Sequence, residues 1–274
     1  MESRRSFLKT LFGAGAATLI PSIAESATIK APYDVIDDLS SKKRGERSST
    51  KYIVLHTTEG KYPGDLSQIK SDGSAHYYIR RNGTIHRTLQ HTMKGAHAGY
   101  SIWNGNSDLN SSSVGIETEG MHYVEPTPEQ LASLRWLVGE LRRIYGVSED
   151  RVVTHSMVRY EPPNKYHKRN HRFRPCGMFF ALAPYRRAIG LNNVFRGDPD
   201  VASGKYMFAD KYLAEVLYSP NTPPIYKIAS WSERDPRADA YVRSLRGKTS
   251  VTKVNTQNIP PSKIHKIPTR YIVT

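Results

Sequence analysis

The sequence predicts an α/β fold, a central mixed β-sheet flanked by helices. Three observations carry this reading. Short β-rich runs recur at Lys51–Leu55, Ser113–Glu117 and Arg151–Thr154. One long helical period, Pro128–Tyr145, separates the last two. Between His76–Arg80 and Thr84–Arg87 stands Arg81-Asn82-Gly83; Asn-Gly supplies the positive φ angles of a tight turn, so this segment is a hairpin. Interleaved strands and helices bury a sheet between helical layers.

The first residues, Ser3-Arg4-Arg5-Ser6-Phe7-Leu8-Lys9, are similar to a twin-arginine export signal, followed by the weakly apolar Leu11–Ile20. That stretch is too short for a stable membrane span. Ala24-Glu25-Ser26 offers small residues for cleavage, so residues 1–26 read as a signal peptide and the mature protein as periplasmic, without an integral membrane span. Residues 27–48 are polar and read as a linker or arm before the first strand. Pro63–Ser71 reads as a short helix. Pro128–Tyr145 is the clearest element: Thr127 caps it, Pro128 suits its first position and Gln130 completes a capping box. Leu131, Leu134, Leu137, Val138, Leu141 and Ile144 make its buried face, and Gly146 fits a left-handed stop. Met178–Ile189 reads as a final helix closing a domain over 49–190, and 191–224 as an extension or linker. Residues 225–274 hold ten Lys/Arg against three acids and read as a small basic β-α-β-β module.

The formal net charge is +15 over 274 residues. A basic surface seeks a polyanion: nucleic acid, anionic lipid or an anionic wall polymer. No nucleic-acid motif is present and an export signal argues against that partner. The chain has one cysteine, Cys176, at the end of the histidine-rich run Tyr166–Gly177. A lone cysteine makes no internal disulfide, and a metal is its usual occupant in an exported protein. His56 and His155 each end a short apolar run, where α/β sheets build their sites. Two histidines and a thiolate suffice for a catalytic zinc with one open position.

Five segments occur in order: Lys51-Tyr-Ile-Val-Leu-His56, Ala75-His-Tyr-Tyr-Ile-Arg-Arg-Asn-Gly-Thr-Ile-His86, Ala96-His97-Ala98-Gly99, Ser113-Val-Gly-Ile-Glu-Thr-Glu-Gly120 and Val153-Thr-His155. Together, over about residues 50–190, the chain resembles the zinc-dependent N-acetylmuramoyl-L-alanine amidases that share a fold with peptidoglycan recognition proteins. The resemblance implies hydrolysis of the amide joining the lactyl group of N-acetylmuramic acid to L-alanine, with peptidoglycan or muropeptides as partners and Zn2+ as cofactor. It implies His56 and His155 as the first two zinc ligands, with Cys176 in the slot of the third. The family usually has proline after that ligand, whereas Pro175 precedes it here, and His167 and His171 lie close, with His171 the runner-up. It implies Glu117 as the base that activates water, with Glu119 as the alternative. Arg174 stands where the family often has a lysine; a guanidinium holds its proton, so its expected role is electrostatic, toward an oxyanion. His97 and Tyr77 are expected to contact substrate. The competing reading is a non-catalytic peptidoglycan-binding protein of the same fold, which would lack a ligand. Tyr226–Arg246 is similar to the first half of sporulation-related repeat domains, which bind glycan strands.

Overall fold

The computed structural model describes residues 30–209 and 211–218. The expected signal peptide at 1–26 and the basic module at 225–274 lie outside the described residues. In chain order the strands are β1 (Val35–Asp37), β2 (Tyr52–Thr57), β3 (Tyr77–Ile79), β4 (Ile85–Arg87), β5 (Ile102–Trp103), β6 (Asn106–Ser107), β7 (Ser113–Thr118), β8 (Val152–Thr154), β9 (Asn170–Arg172) and β10 (Tyr206–Phe208). Six of them build a central sheet in the order β1-β4-β3-β7-β2-β8. Neighbours are parallel except the expected hairpin pair β3–β4, so the sheet is mixed. Gly83, at φ +85°, supplies the turn.

β2 shows why both faces are covered. Ile53 and Leu55 enter one apolar cluster with Leu134, Leu137, Val138 and Leu141 of the helix Pro128–Tyr145. Tyr52 and Val54 enter the other, with Ala98, Trp103, Met157, Phe179 and Leu182. A strand buried on both faces reads as a continuous apolar run because alternate side chains meet different layers. Each fully buried leucine contributes roughly 2 kcal/mol through removal from water. The long helix matches its expected bounds: Thr127 accepts from the Gln130 N–H, the Gln130 side chain accepts from the Thr127 N–H, and Gly146 closes it at φ +64°. Its N-terminus is tied to the sheet, Gln130 Nε2 donating to Glu119 O at 2.8 Å. No helix among the described residues is long and apolar enough to cross a membrane.

Three expectations change. Residues 27–48 are more than a linker, because β1 adds an edge strand to β4, fastened by Arg87 Nε and Nη2 donating to Asp37 at 2.7 Å each. Met178–Ile189 is broken into a 3-10 turn, Met178–Ala181, and a helix, Ala183–Ala188, with Leu182 extended between them. Pro184 cannot donate a backbone hydrogen bond, so the helix restarts there rather than running through. Residues 191–224 fold onto the domain as far as they are described. A short helix Pro199–Ala202, strand β10 paired parallel to β9, and the helix Lys211–Tyr218 follow in turn. Leu213, Val216 and Leu217 complete the core cluster around Val54. The buried guanidinium of Arg172 holds this addition, pairing with Asp198 and, at 3.3 Å, with Asp200.

Candidate metal centre

Register brings the site together. β7, β2 and β8 are adjacent and parallel, and their C-terminal ends lie side by side: His56 pairs with Glu117, and Leu55 with Thr154, the residue before His155. His56 continues the parity of Tyr52 and Val54, so it faces away from the long helix. Glu117 sits in matched register on the same face, and its Oε1 is 3.6 Å from His56 Nδ1. His155 opens a single helical turn, His155–Val158. Its ring centroid is 4.5 Å from that of His56.

Cys176 arrives from a tight turn in which the Met178 N–H donates to Pro175 O at 3.0 Å. The proline on the unexpected side is therefore part of the turn that delivers the sulfur. Cys176 Sγ lies 3.7 Å from His56 Nδ1 and donates to Thr57 O at 3.3 Å. Gly177 makes this approach possible. Its φ is +75°, and a Cβ there would stand 2.5 Å from Leu55 O. Potential ligand atoms of His56, His155 and Cys176 all lie within 4.8 Å of one another, a set able to hold a metal ion. Among the described residues, His171 does not join it: its ring stacks on His167, centroids 4.3 Å apart, on and beside β9.

The donor chemistry fits a divalent cation. Burial, then the neighbouring His155, holds His56 well below the usual histidine range. His155 is pushed down to about 3 by burial, then by His97, Arg159 and Arg174. Both imidazoles are neutral at pH 7 and so have lone pairs to offer. Burial and the Glu117 and Glu59 carboxylates push the Cys176 thiol up. Burial, then Asp65 and Glu59, raises Glu117. Two acids whose ionisation burial disfavours, beside two neutral imidazoles, form a site that a cation would relieve. His155 Nε2 and Glu117 Oε2 are also buried without a hydrogen-bond partner, the kind of orphan that an ion or a water satisfies.

The remaining site expectations divide. His97 is not an open wall of a groove: it is buried behind His56, its Nδ1 3.1 Å from His56 Nε2. Gly115 is the residue that admits it, since a Cβ there would lie 2.5 Å from His97 Cγ. Tyr77 is a core residue, fully buried, its ring among the apolar side chains facing the long helix and its hydroxyl on His91 Nε2. It has no face open to a substrate. Glu119 leaves the cluster as the strand ends at Thr118, and its two oxygens accept from the backbone N–H groups of Tyr62 and Arg81 at 3.0 and 2.9 Å. Arg174 lies at the rim, half-buried, its guanidinium 3.8 Å from Glu161 and against the Phe173 ring. Sequence reasoning missed Thr57, Glu59 and His122, which form a hydrogen-bonded group beside the cysteine turn. Thr57 and Glu59 follow His56 closely in sequence, which is the signal for them; no local pattern points to His122.

Comparison with known proteins gives the site its relatives. Residues 46–169 match the family model described as N-acetylmuramoyl-L-alanine amidase. The chain is 35% identical over 83 residues to the 1,6-anhydro-N-acetylmuramyl-L-alanine amidase AmpD of Haemophilus influenzae, covering 30% of this chain and 45% of that one. It is 29% identical over 125 residues to the N-acetylmuramoyl-L-alanine amidase AmiD of Escherichia coli, covering 39% of this chain and 45% of the relative. The match thus spans 45% of the length of each of these curated relatives. Among solved structures, it is similar to AmiD from E. coli in complex with the substrate anhydro-N-acetylmuramic acid-L-Ala-D-gamma-Glu-L-Lys, at a TM-score of 0.37 and 25% identity, covering 43% of this chain and 52% of that one. The matched segment contains His56, Glu117 and His155 and ends before Cys176.

Proposed function

We propose that this chain is a zinc-dependent N-acetylmuramoyl-L-alanine amidase that cleaves the amide between the lactyl group of N-acetylmuramic acid and L-alanine in peptidoglycan. The observation that carries the reading is the His56, His155 and Cys176 donor set with the Glu117 carboxylate beside it. The three donors would hold the zinc, and His97 would orient His56 from behind. The chemistry zinc supplies when bound is Lewis acidity toward a carbonyl oxygen and a lowered pKa for water.

Glu117 is the base. Its Oε2 has no partner of its own, and its raised proton affinity suits a group that must take a proton from water and give it up again. Water adds to the lactyl carbonyl as Glu117 accepts its proton. The C–N bond then breaks as the same proton passes to the leaving L-alanine nitrogen, yielding a carboxylic acid and an amine. Arg174, whose charge reaches His155, would stabilise the carbonyl oxygen as negative charge develops there, and acts by charge alone. The basic surface concentrates an acidic wall polymer, since peptide stems carry carboxylates. Peptidoglycan or its muropeptides are the partners, and the periplasm reached by a twin-arginine signal is the place.

Two measurements on one variant test the reading. Glu117→Gln should keep zinc at wild-type stoichiometry and release no muropeptide from purified sacculi. Full activity in that variant removes Glu117 as the base. A wild-type protein that binds sacculi but neither retains zinc nor cleaves would instead be a binding protein of this fold.

A further inference from the structure

We propose that Glu59 and His122 are positioning residues that set Cys176 against His56 through Thr57; this rests on the metal-centre reading above. Thr57 follows His56 in β2 and touches the cysteine turn twice. Its carbonyl oxygen accepts from Cys176 Sγ at 3.3 Å, and its Oγ1 accepts from the Gly177 N–H at 2.9 Å. A threonine hydroxyl has one proton and rotates to suit its surroundings. Here its proton is committed, because Oγ1 donates to Glu59 Oε1 at 2.7 Å. Oε1 also accepts from the His122 backbone N–H, so it is an acceptor; the proton of its contact with Thr57 comes from the hydroxyl, whose lone pair is left for Gly177. Without that acceptor the hydroxyl could turn and lose the Gly177 N–H.

Glu59 is itself held on three sides. Oε1 also accepts from the His122 N–H at 3.0 Å, and Oε2 lies 2.8 Å from His122 Nδ1. The Glu59 N–H donates to Gly120 O at 2.9 Å. Its backbone is left-handed, φ +60°, a conformation that a residue other than glycine rarely adopts. His122 is fully buried, with Nδ1 turned to the carboxylate. The whole group joins the end of β2, the loop after β7 and the cysteine turn, three segments far apart in sequence. Neither Glu59 nor His122 belongs to the donor set. Their action is indirect: they fix the hydroxyl that fixes the turn that places the sulfur.

Cobalt(II) substitution tests this, because a thiolate bound to cobalt gives a charge-transfer absorption that reports the Cys176–metal bond apart from activity. Thr57→Val keeps the shape of the side chain and removes the hydroxyl; Glu59→Ala removes its acceptor. Both are expected to bind cobalt at least tenfold more weakly and to lose most of the charge-transfer band. Thr57→Ser and Glu59→Gln, which retain the hydroxyl and an acceptor for it, should restore both. Should Glu59→Ala fail to fold, the near-isosteric Thr57→Val still decides. Wild-type cobalt affinity and a wild-type band in Thr57→Val overturn the proposal. A wild-type protein whose spectrum matches that of Cys176→Ser would overturn the metal-centre reading itself.

Discussion

His97 Nδ1 stands 3.1 Å from His56 Nε2, so one buried histidine orients another. The direction of the chain follows from what lies beyond. Ser113 Oγ is 3.4 Å from His97 Nε2 and donates to Leu109 O at 2.5 Å. With the Ser113 proton committed to a carbonyl, its oxygen is left to accept from His97 Nε2–H. His97 Nδ1 then accepts from His56 Nε2–H, and the His56 Nδ1 lone pair points toward Cys176 and Glu117. Partners of this kind change metal affinity by about 10–100-fold. His97→Phe, which fills the space over Gly115 but accepts nothing, should weaken zinc binding by about that factor in a competition titration with a chelator. His97→Asn, with an oxygen near the Nδ1 position, should recover part of it.

Gly177 gives a second prediction, on stability and metal binding together. Gly177→Ala would place a Cβ 2.5 Å from Leu55 O at φ +75°. The obstacle is backbone in a buried strand, so the turn must move and take Cys176 with it. We expect a loss of about 2–3 kcal/mol in urea unfolding and at least tenfold weaker metal binding. Gly146→Ala is the control: its φ is +64° but nothing lies within 4 Å of the added Cβ. It should cost about 1 kcal/mol and leave metal binding unchanged. Equal metal affinity in both variants would show that the turn tolerates displacement.

What the sequence disclosed depended on how local the signal was. The helix Pro128–Tyr145 is legible to the residue because its cap, its apolar period and its terminal glycine lie within one segment. His56, Glu117 and His155 are legible because each stands within one residue of a strand's C-terminal end, and parallel pairing places adjacent strand ends together. β1 and β10 are three residues long and owe their form to β4 and β9, which no local pattern reveals. Tyr77 and His97 were misplaced for the same reason. The family resemblance implies substrate contact for both, while burial against His91 in one case and His56 in the other is a property of the assembled sheet.

Arg174 separates charge from proton transfer. Its guanidinium is at the rim, and Glu161, which it approaches, also pairs with Arg159 at 2.6 Å. Removing Arg174 therefore leaves Glu161 paired. Arg174→Ala should lower kcat on a soluble muropeptide by about 100–1,000-fold, the scale of one lost oxyanion contact, with zinc content unchanged. Arg174→Lys should restore much of the rate without adding a new ionisation to the pH profile below pH 9. A full rate in Arg174→Ala would leave the oxyanion without this partner.

His91 predicts how the metal-free protein responds to acid. It bridges two tyrosines: Nδ1 lies 2.5 Å from the Tyr145 hydroxyl, and Nε2 meets the Tyr77 hydroxyl. Burial, then Arg47 and Arg87, pushes its pKa down to about 3. The unfolded chain would titrate near 6.5. Between these values the unfolded state binds the proton and the folded state does not. The stability His91 confers is therefore whole above about pH 6.5 and is lost as pH falls toward 3. Across that interval the loss is at most on the order of 5 kcal/mol. His56, His76, His97 and His155 are also held low and add to the same trend, so a single variant isolates one contribution. His91→Asn should be less stable than the wild type at pH 7 in urea, measured with chelator present, yet lose less between pH 7 and pH 4. Parallel losses in the two proteins would assign the acid sensitivity to the other histidines and leave His91 a purely structural bridge.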